Sequence, residues 1–295
     1  MNYENLTDCP VCGGSNLKNH KVVKDHSVSQ ESFNIMMCDN CNFQFTNPRP
    51  DEENIGKYYN SEEYISHSDK ANSPINFIYK IARKYALSSK RKLINSVANH
   101  KKGRLLDYGC GTGYFLENMK SNGWKVYGIE PNEKARSIAT EKAKVKENIE
   151  QLNLKNKKFD VITLWHVLEH IHDLNDIIKQ LKSILKEKGK LVIAVPNIDS
   201  YEQSFYEEHW AAYDVPRHLY HFSQDTMNTL MLKHGLKVKK VYPMKLDAYY
   251  ISLLSNKYKF QKNKFIKSIL TGYKSNSYAN KNQNNYSSLI YIIKK

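Results

Sequence analysis

No apolar run in this chain approaches the length needed to cross a bilayer, which excludes a membrane-spanning helix. The first residues, MNYENLTDCP, lack the basic-then-apolar order of a secretory signal, so a cytoplasmic location is expected. There is no internal repeat. Acidic residues are in short supply, 30 against 45 Lys and Arg, for a formal charge of +15. Such an excess invites an anionic partner, nucleic acid or membrane. Here, however, it runs from Lys18 to Lys295 without a dense block and reads chiefly as solvated lysine. What the chain does have is material for a core: 40% hydrophobic and 12% aromatic residues over 295 positions. That suffices for one large α/β domain with a small appendage.

Cysteine is scarce as well, five in all, and four of the five precede Pro48. They form two C-x-x-C knuckles, Cys9–Cys12 and Cys38–Cys41. Two residues between thiolates let one tight turn supply a pair of ligands, and zinc takes four such soft ligands tetrahedrally. Gly13 and Asn42 follow the knuckles, where a positive φ is often needed. A hairpin predicted from Val22–Asp25 and Phe33–Met37 fills the gap between them. Disulfides are disfavoured in a cytoplasmic chain. A structural Zn2+ on Cys9, Cys12, Cys38 and Cys41 is therefore expected, with no open position for catalysis.

Pro48-Arg49-Pro50 acts as a stiff break. The sequence divides at this level into a zinc ribbon (1–48), a linker with an N-terminal helical lid (49–100) and a large domain (101–295). Tyr58, Tyr59 and Tyr64 read either as a lid or as packing. Apolar spacing predicts a helix over Asn76–Asn99. Beyond Gly103 strands alternate with helices. Strands are predicted at Arg104–Asp107, Lys125–Ile129, Phe159–Leu164 and Lys190–Pro196, and helices at Tyr114–Lys120, Asn132–Ala143, Leu174–Lys186 and Ser223–His234. Lys237–Tyr242 and Ser287–Ile293 would close one edge. Short apolar strands between amphipathic helices imply a mostly parallel sheet covered on both faces. The polar stretch Lys245–Asn285 carries no assignable pattern.

The most informative run is Leu105–Leu116, LLDYGCGTGYFL. A strand ends at Asp107, a loop carries Gly109, Gly111 and Gly113, and a helix follows. Glycines let a backbone approach a ligand closely. Glu130 ends the next strand 23 positions beyond Asp107, where a carboxylate can grip ribose hydroxyls. A dinucleotide fingerprint needs its third glycine at Tyr114, and it is not there. Cys110, inside the loop, reads as a small neutral filler.

G-x-G-x-G with an acid two residues earlier resembles motif I of class I S-adenosylmethionine-dependent methyltransferases. Phe159–Asp173 is similar to the segment after strand 4 of that class, and Gly189–Asn197 to its strand 5. Asp214–Ser223 is similar to the bacterial type 23 family, whose members sometimes carry a zinc ribbon. The resemblance runs from the ribbon to about Tyr242. It implies a Rossmann-like α/β fold, a mostly parallel seven-stranded sheet flanked by helices, with S-adenosylmethionine as cofactor. It also implies that Asp107, Gly109, Cys110, Gly111, Gly113, Glu130, Pro131, Trp165 and His166 contact that cofactor, with Asn148 and Ile149 facing adenine.

Methyl transfer from a sulfonium is an in-line displacement, so the protein must align the nucleophile and, for a hydroxyl, remove its proton. Histidine is the natural base near neutral pH. Candidates are His166, Glu169 and His170 after strand 4 and His218 and His221 after strand 5; in one arrangement His166 or His218 is the general base, with Arg217 or Tyr213 orienting the acceptor. A second arrangement holds a divalent metal on His166, Glu169, His170 and a distal histidine. It resembles the E-x-x-E-H site of small-RNA and ubiquinone-pathway O-methyltransferases, with His166 in place of the first glutamate. A third leaves Glu169 and His170 to bond loop backbone. His172 and His209 read as surface residues. The expected acceptor is a small molecule or a glycan, methylated on oxygen, as in cell-surface polysaccharide or secondary metabolism. The alternative is RNA, gripped by the ribbon and the basic surface.

Overall fold

The computed structural model describes residues 2–59, 74–154, 158–262 and 264–295, with backbone alone for residues 74–82. Tyr64 lies outside the described residues, as do the side chains of Ile78, Ile81 and Ala82. The amino-terminal strands are β1 (Tyr3–Glu4), β2 (Leu17–Lys24), β3 (Ser32–Cys38), β4 (Gln44–Thr46) and β5 (Arg49–Pro50). Helix α1 (Pro74–Val97) opens on a proline, whose fixed φ suits the first helical turn. There follow β6 (Arg104–Tyr108), α2 (Tyr114–Lys120), β7 (Lys125–Ile129), α3 (Glu133–Thr140), β8 (Lys144–Lys146) and β9 (Phe159–Trp165). Then come α4 (Leu174–Ile184), β10 (Leu185–Pro196), α5 (Tyr201–Tyr206), β11 (Tyr220–His221), α6 (Gln224–Lys233) and β12 (Lys237–Pro243). The chain closes with α7 (Asp247–Phe260), α8 (Phe265–Lys281) and β13 (Ser288–Lys294).

The seven strands of the large sheet run in the order β12-β13-β10-β9-β6-β7-β8. β6 pairs in parallel with β7 on one side and β9 on the other, and β7 pairs in parallel with β8. The chain thus moves outward through β7 and β8, then restarts at β9 across β6. Such a reversal leaves a crevice beyond the carboxyl ends of the two central strands. Leu105, Leu106, Val161, Ile162 and Leu164 are fully buried there, as strands covered on both faces must be. The expected Rossmann-like fold is present, with both late strands at one edge.

Local differences have local causes. Asn132 caps α3, its side chain accepting from the Ala135 N–H, so the helix starts one residue later than its periodicity suggests. β10 begins at Leu185, five residues before the expected Lys190, because Lys186, Glu187 and Lys188 carry no alternation that marks a strand. The unassigned 245–285 stretch forms α7 and α8.

The described residues fall into two compact units. One lies within Met1–Ile65, Leu168–Ile177 and Ala194–Tyr291, the other within Ser66–Val167, Ile178–Ile193 and Ile292–Lys295. In the first, β11 joins the ribbon's sheet, ordered β11-β4-β3-β2. Its core gathers Val23, Phe33 and Ile35 of the hairpin with Tyr58, Tyr206, Trp210 and Tyr213. Tyr58 is therefore packing, as one of its two sequence readings had it. The second unit holds β6 to β9 with α1, α2 and α3.

Candidate active site

In the second unit the loop after β6 is folded back on the end of β7. The N–H groups of Gly109 and Cys110 both donate to the Ile129 carbonyl, at 2.8 and 2.9 Å. Glu130 Oε2 accepts from the Gly111 N–H at 2.7 Å, and its Oε1 accepts from the Asn132 N–H at 3.0 Å. Gly109, Gly111 and Gly113 all have positive φ. A Cβ at Gly109 would stand 2.5 Å from Val167, whereas one at Gly111 would meet nothing within 4 Å among the described residues. The loop is therefore packed at its start and open at its middle.

Asp107 is buried at the carboxyl end of β6, and Thr163 Oγ1 donates to its Oδ1 at 2.6 Å. Burial pushes this carboxyl up to about 7, the Thr163 bond and the Lys90 charge pull it down, and Glu130 adds to the rise. Trp165 ends β9, with its ring edge-on to Phe115 and the Lys90 ammonium 4.4 Å from its centroid. Its Nε1 is buried without a hydrogen-bond partner among the described residues. His166 follows at φ +56°, half-buried. Asn148 is exposed and accepts from the Gln151 N–H, while Ile149 is half-buried and Pro131 exposed. Burial pushes the Cys110 thiol up, in keeping with a filler. Three contributors escaped the sequence reading: Thr163, Lys90 and Gly128, where a Cβ would stand 2.7 Å from Cys110 Sγ. A strand glycine is a sequence signal of close approach; the other two have none.

In the first unit the four ribbon cysteines converge, with all Sγ atoms within 4.8 Å of one another. Cys9 and Cys41 are 3.6 Å apart and Cys12 and Cys38 3.5 Å. Tetrahedral thiolates at zinc distances lie about 3.8 Å apart, so the donor set fits the ion. The knuckles are built alike. Gly13 N–H donates to Cys9 O and Asn42 N–H to Cys38 O, each at 2.8 Å, and both donors have positive φ.

The same unit brings three ligating groups together: Glu169, His170 and His218, again within 4.8 Å. His166 is not among them. The His170 and His218 rings meet edge-on at 4.7 Å. His218 Nδ1 lies 2.8 Å from Ala212 O, and His170 Nδ1 lies 3.0 Å from both Arg217 O and the Tyr59 hydroxyl. A ring that donates Nδ1–H to a carbonyl keeps a lone pair on Nε2. Burial, then His218, push His170 down to about 4, so it is neutral at physiological pH. His221 is buried and pushed down to about 3, its Nε2 near Thr46 Oγ1. Tyr213 is buried, its hydroxyl accepting from Gln203.

Arg217 corrects an expectation. Read as a group that orients an acceptor, it is only 4% exposed and spends its donors inside the unit. Nη2 donates to Asp25, Ser27 and Asp214, Nε to Asp214, and Nη1 to the Tyr58 carbonyl at 2.8 Å. The physical reason is Asp25, a buried carboxylate on the ribbon hairpin that needs a cation beside it. Burial opposes its ionisation, yet Arg217 and the Ser29 N–H hold it down at about 2. Ribbon and histidine loop are tied again by Thr46, whose N–H donates to Leu219 O and whose hydroxyl donates to His218 O at 2.8 Å. His172 and His209, read as surface residues, are half-buried.

A family model described as "Methyltransferase domain" matches residues 79–241. The ubiquinone biosynthesis O-methyltransferase of Coxiella burnetii is 30% identical over 157 residues, spanning 50% of this chain and 65% of that one. The chain thus covers just under two thirds of that relative. Among solved structures, magnesium protoporphyrin IX methyltransferase from Synechocystis with bound SAH gives a TM-score of 0.54 at 13% identity, covering 83% of this chain and 100% of that one. A SAM dependent methyltransferase from Archaeoglobus fulgidus gives 0.50 at 21%, covering 75% and 99%. Both are likenesses of fold. With more than half its length inside the matching model, the chain belongs to the methyltransferase-domain family.

Proposed function

We propose that this chain transfers a methyl group from S-adenosylmethionine to an oxygen of a small-molecule or glycan acceptor, in cell-surface polysaccharide or secondary metabolism. The observation that carries this reading is the loop at Gly111, open on its outer side and held from behind by Glu130. The residues there fit the cofactor: a loop with three glycines, an acid at the end of each of two strands, and an indole N–H at Trp165 without a partner among the described residues. Bound, the cofactor supplies an electrophilic methyl carbon. Asp107 and Glu130 would answer its charge and its ribose hydroxyls, with Pro131, Cys110 and His166 in the surrounding wall and Asn148 and Ile149 at the adenine. His170 or His218 would take the acceptor's proton on Nε2. Zn2+ on the four cysteines would fold the ribbon and take no part in the chemistry. The name of the Coxiella relative, an O-methyltransferase, favours oxygen as the nucleophile.

A second reading of the same cluster assigns Glu169, His170 and His218 to a divalent cation, favoured by their mutual 4.8 Å reach. The deciding experiment for the main reading is calorimetric titration with S-adenosylhomocysteine, beside a Glu130→Ala variant. Micromolar binding lost in the variant supports it, and a panel of sugar and catechol acceptors then follows. No binding by folded, zinc-loaded protein overturns it. Activity that needs added metal, and fails in Glu169→Gln with cofactor binding intact, would move the cluster from base to cation site.

A further inference from the structure

Helix α8 is built inside out. Its buried face carries Ser268, Thr271, Gly272, Ser275 and Ala279, small residues that let it lie close on α7. A Cβ on Gly272 would stand 2.7 Å from the Tyr249 ring and 3.0 Å from its Cα. Asn256 Nδ2 donates to Ser268 Oγ at 2.8 Å in that seam, and Ser275 Oγ donates to the buried Glu202. The large apolar residues stand on the opposite side. Phe265, Ile266, Ile269, Leu270 and Tyr273 follow helical spacing and form one stripe, with Phe265 64%, Ile266 75% and Tyr273 66% exposed. An ordinary surface helix buries its apolar stripe and shows its polar one. Contiguous exposed apolar surface of this kind marks a docking face.

Charge decides the occupant. From Ala248 to Lys295 the chain has nine lysines and no acidic residue. Lys267, Lys274 and Lys281 recur every seventh residue along one flank of the stripe. A second copy of this chain would set those lysines against their own kind across a symmetric contact, which like charges oppose. A surface that is negative at its rim and apolar beneath suits both features at once. Amphipathic helices with lysine on the flank and Phe, Ile and Leu on the face lie in such an interface.

We propose that the outer face of α8, with its flanking lysines, docks on the anionic surface of a lipid bilayer. The helix lies flat and spans nothing, in keeping with the finding that no described helix is long and apolar enough to cross a membrane. This assignment stands independently of the acceptor and of the loop at Gly111. The test is co-sedimentation of the full chain with phosphatidylcholine vesicles, with and without phosphatidylglycerol, at low and high salt. The expected result is binding that needs phosphatidylglycerol, weakens with salt, and falls roughly tenfold or more in Ile266→Gln/Leu270→Gln and in Lys274→Gln/Lys281→Gln. All four positions are exposed, and circular dichroism with S-adenosylhomocysteine titration checks that both variants remain folded. Three outcomes overturn the proposal. One is no vesicle binding. Another is binding unchanged by the apolar double variant, which is the behaviour of lysines that hold any polyanion, RNA included. The last is a dimer in sedimentation velocity that Ile266→Gln/Leu270→Gln dissolves, which gives the stripe to a second copy.

Discussion

Thr163 Oγ1 donates to Asp107 Oδ1 across 2.6 Å, and the two are register partners on adjacent parallel strands, β9 and β6. The bond is the main local support for charge on a carboxyl that burial pushes up to about 7. A raised folded pKa means that the native state holds a proton the unfolded chain has lost. Between the ordinary carboxylate range and about 7, this group therefore lowers stability as pH rises. A cationic ligand beside Asp107 binds the ionised form and releases that proton. The affinity for S-adenosylmethionine is expected to rise with pH up to about 7, by at most about tenfold per pH unit, and to level off above it. Calorimetry in buffers of different ionisation enthalpy should register the proton released. Thr163→Val removes the donor and should move the levelling point upward; a flat profile in both proteins would take Asp107 out of the site.

Gly128 sits opposite Asp107 on β7 with an ordinary negative-φ backbone, so alanine there is opposed by sterics alone. Its Cβ would press on Cys110 Sγ and Leu116 Cδ1, both at 2.7 Å. Gly128→Ala should cost about 1–3 kcal/mol and lower Tm accordingly. Cys110→Ala in the same chain makes room on one side and should recover part of the loss, a coupling that a double-mutant cycle measures. Simple additivity of the two changes would show that the loop relaxes away from β7.

Features set by local spacing were legible in the sequence: the two knuckles, the glycine loop with its acids, and the alternation that builds the sheet. Those set by distant partners were not. His170 meets Tyr59 across 111 residues of chain, and Asp25 meets Arg217 across 192. Nothing near Arg217 in sequence distinguishes a buried clamp from a group that meets substrate. The grouping of Glu169 and His170 with a distal histidine was legible, but that this is His218, and that His166 stands apart, depended on the turn that sets His218 beside His170. Helix α8 hid for another reason. In most helices the apolar residues face inward, and here serine, threonine and glycine do.

The Arg217 clamp gives the largest expected stability effect. Arg217→Ala leaves the carboxylates of Asp25 and Asp214 without their cation, one of them fully buried on the ribbon hairpin. Breaking such a pair by removing one partner costs about 3–5 kcal/mol. The pH dependence has a defined sign. Asp25 is held down at about 2, so the stability it contributes is present above the ordinary carboxylate range and is lost as pH falls through about 2. Chemical denaturation of the wild type from neutral pH downward should show that loss. In Arg217→Ala the same span should be nearly flat, at a lower stability throughout.

Zinc should matter to turnover and not to cofactor affinity. The groups that would grip S-adenosylmethionine lie in the second unit, in β6, β7, β9 and their loops. The cysteines lie in the first, and the strand after Cys41 holds the histidine loop through Thr46, with bonds to the carbonyls of His218 and Leu219. Unfolding of the ribbon releases His218, and with it the Arg217 carbonyl that fixes the His170 ring. Removal of zinc by a strong chelator should therefore lower kcat by about tenfold or more, the range of a lost acid–base group, with the S-adenosylhomocysteine Kd unchanged. Cys12→Ala, which deletes one thiolate without chelator, should reproduce the split. Thr46→Val keeps the metal, removes the bond to His218 O together with the contact to His221 Nε2, and should lower kcat less. If Kd and kcat fall together, the ribbon is a general support of the fold; if neither changes, His218 keeps its place without it.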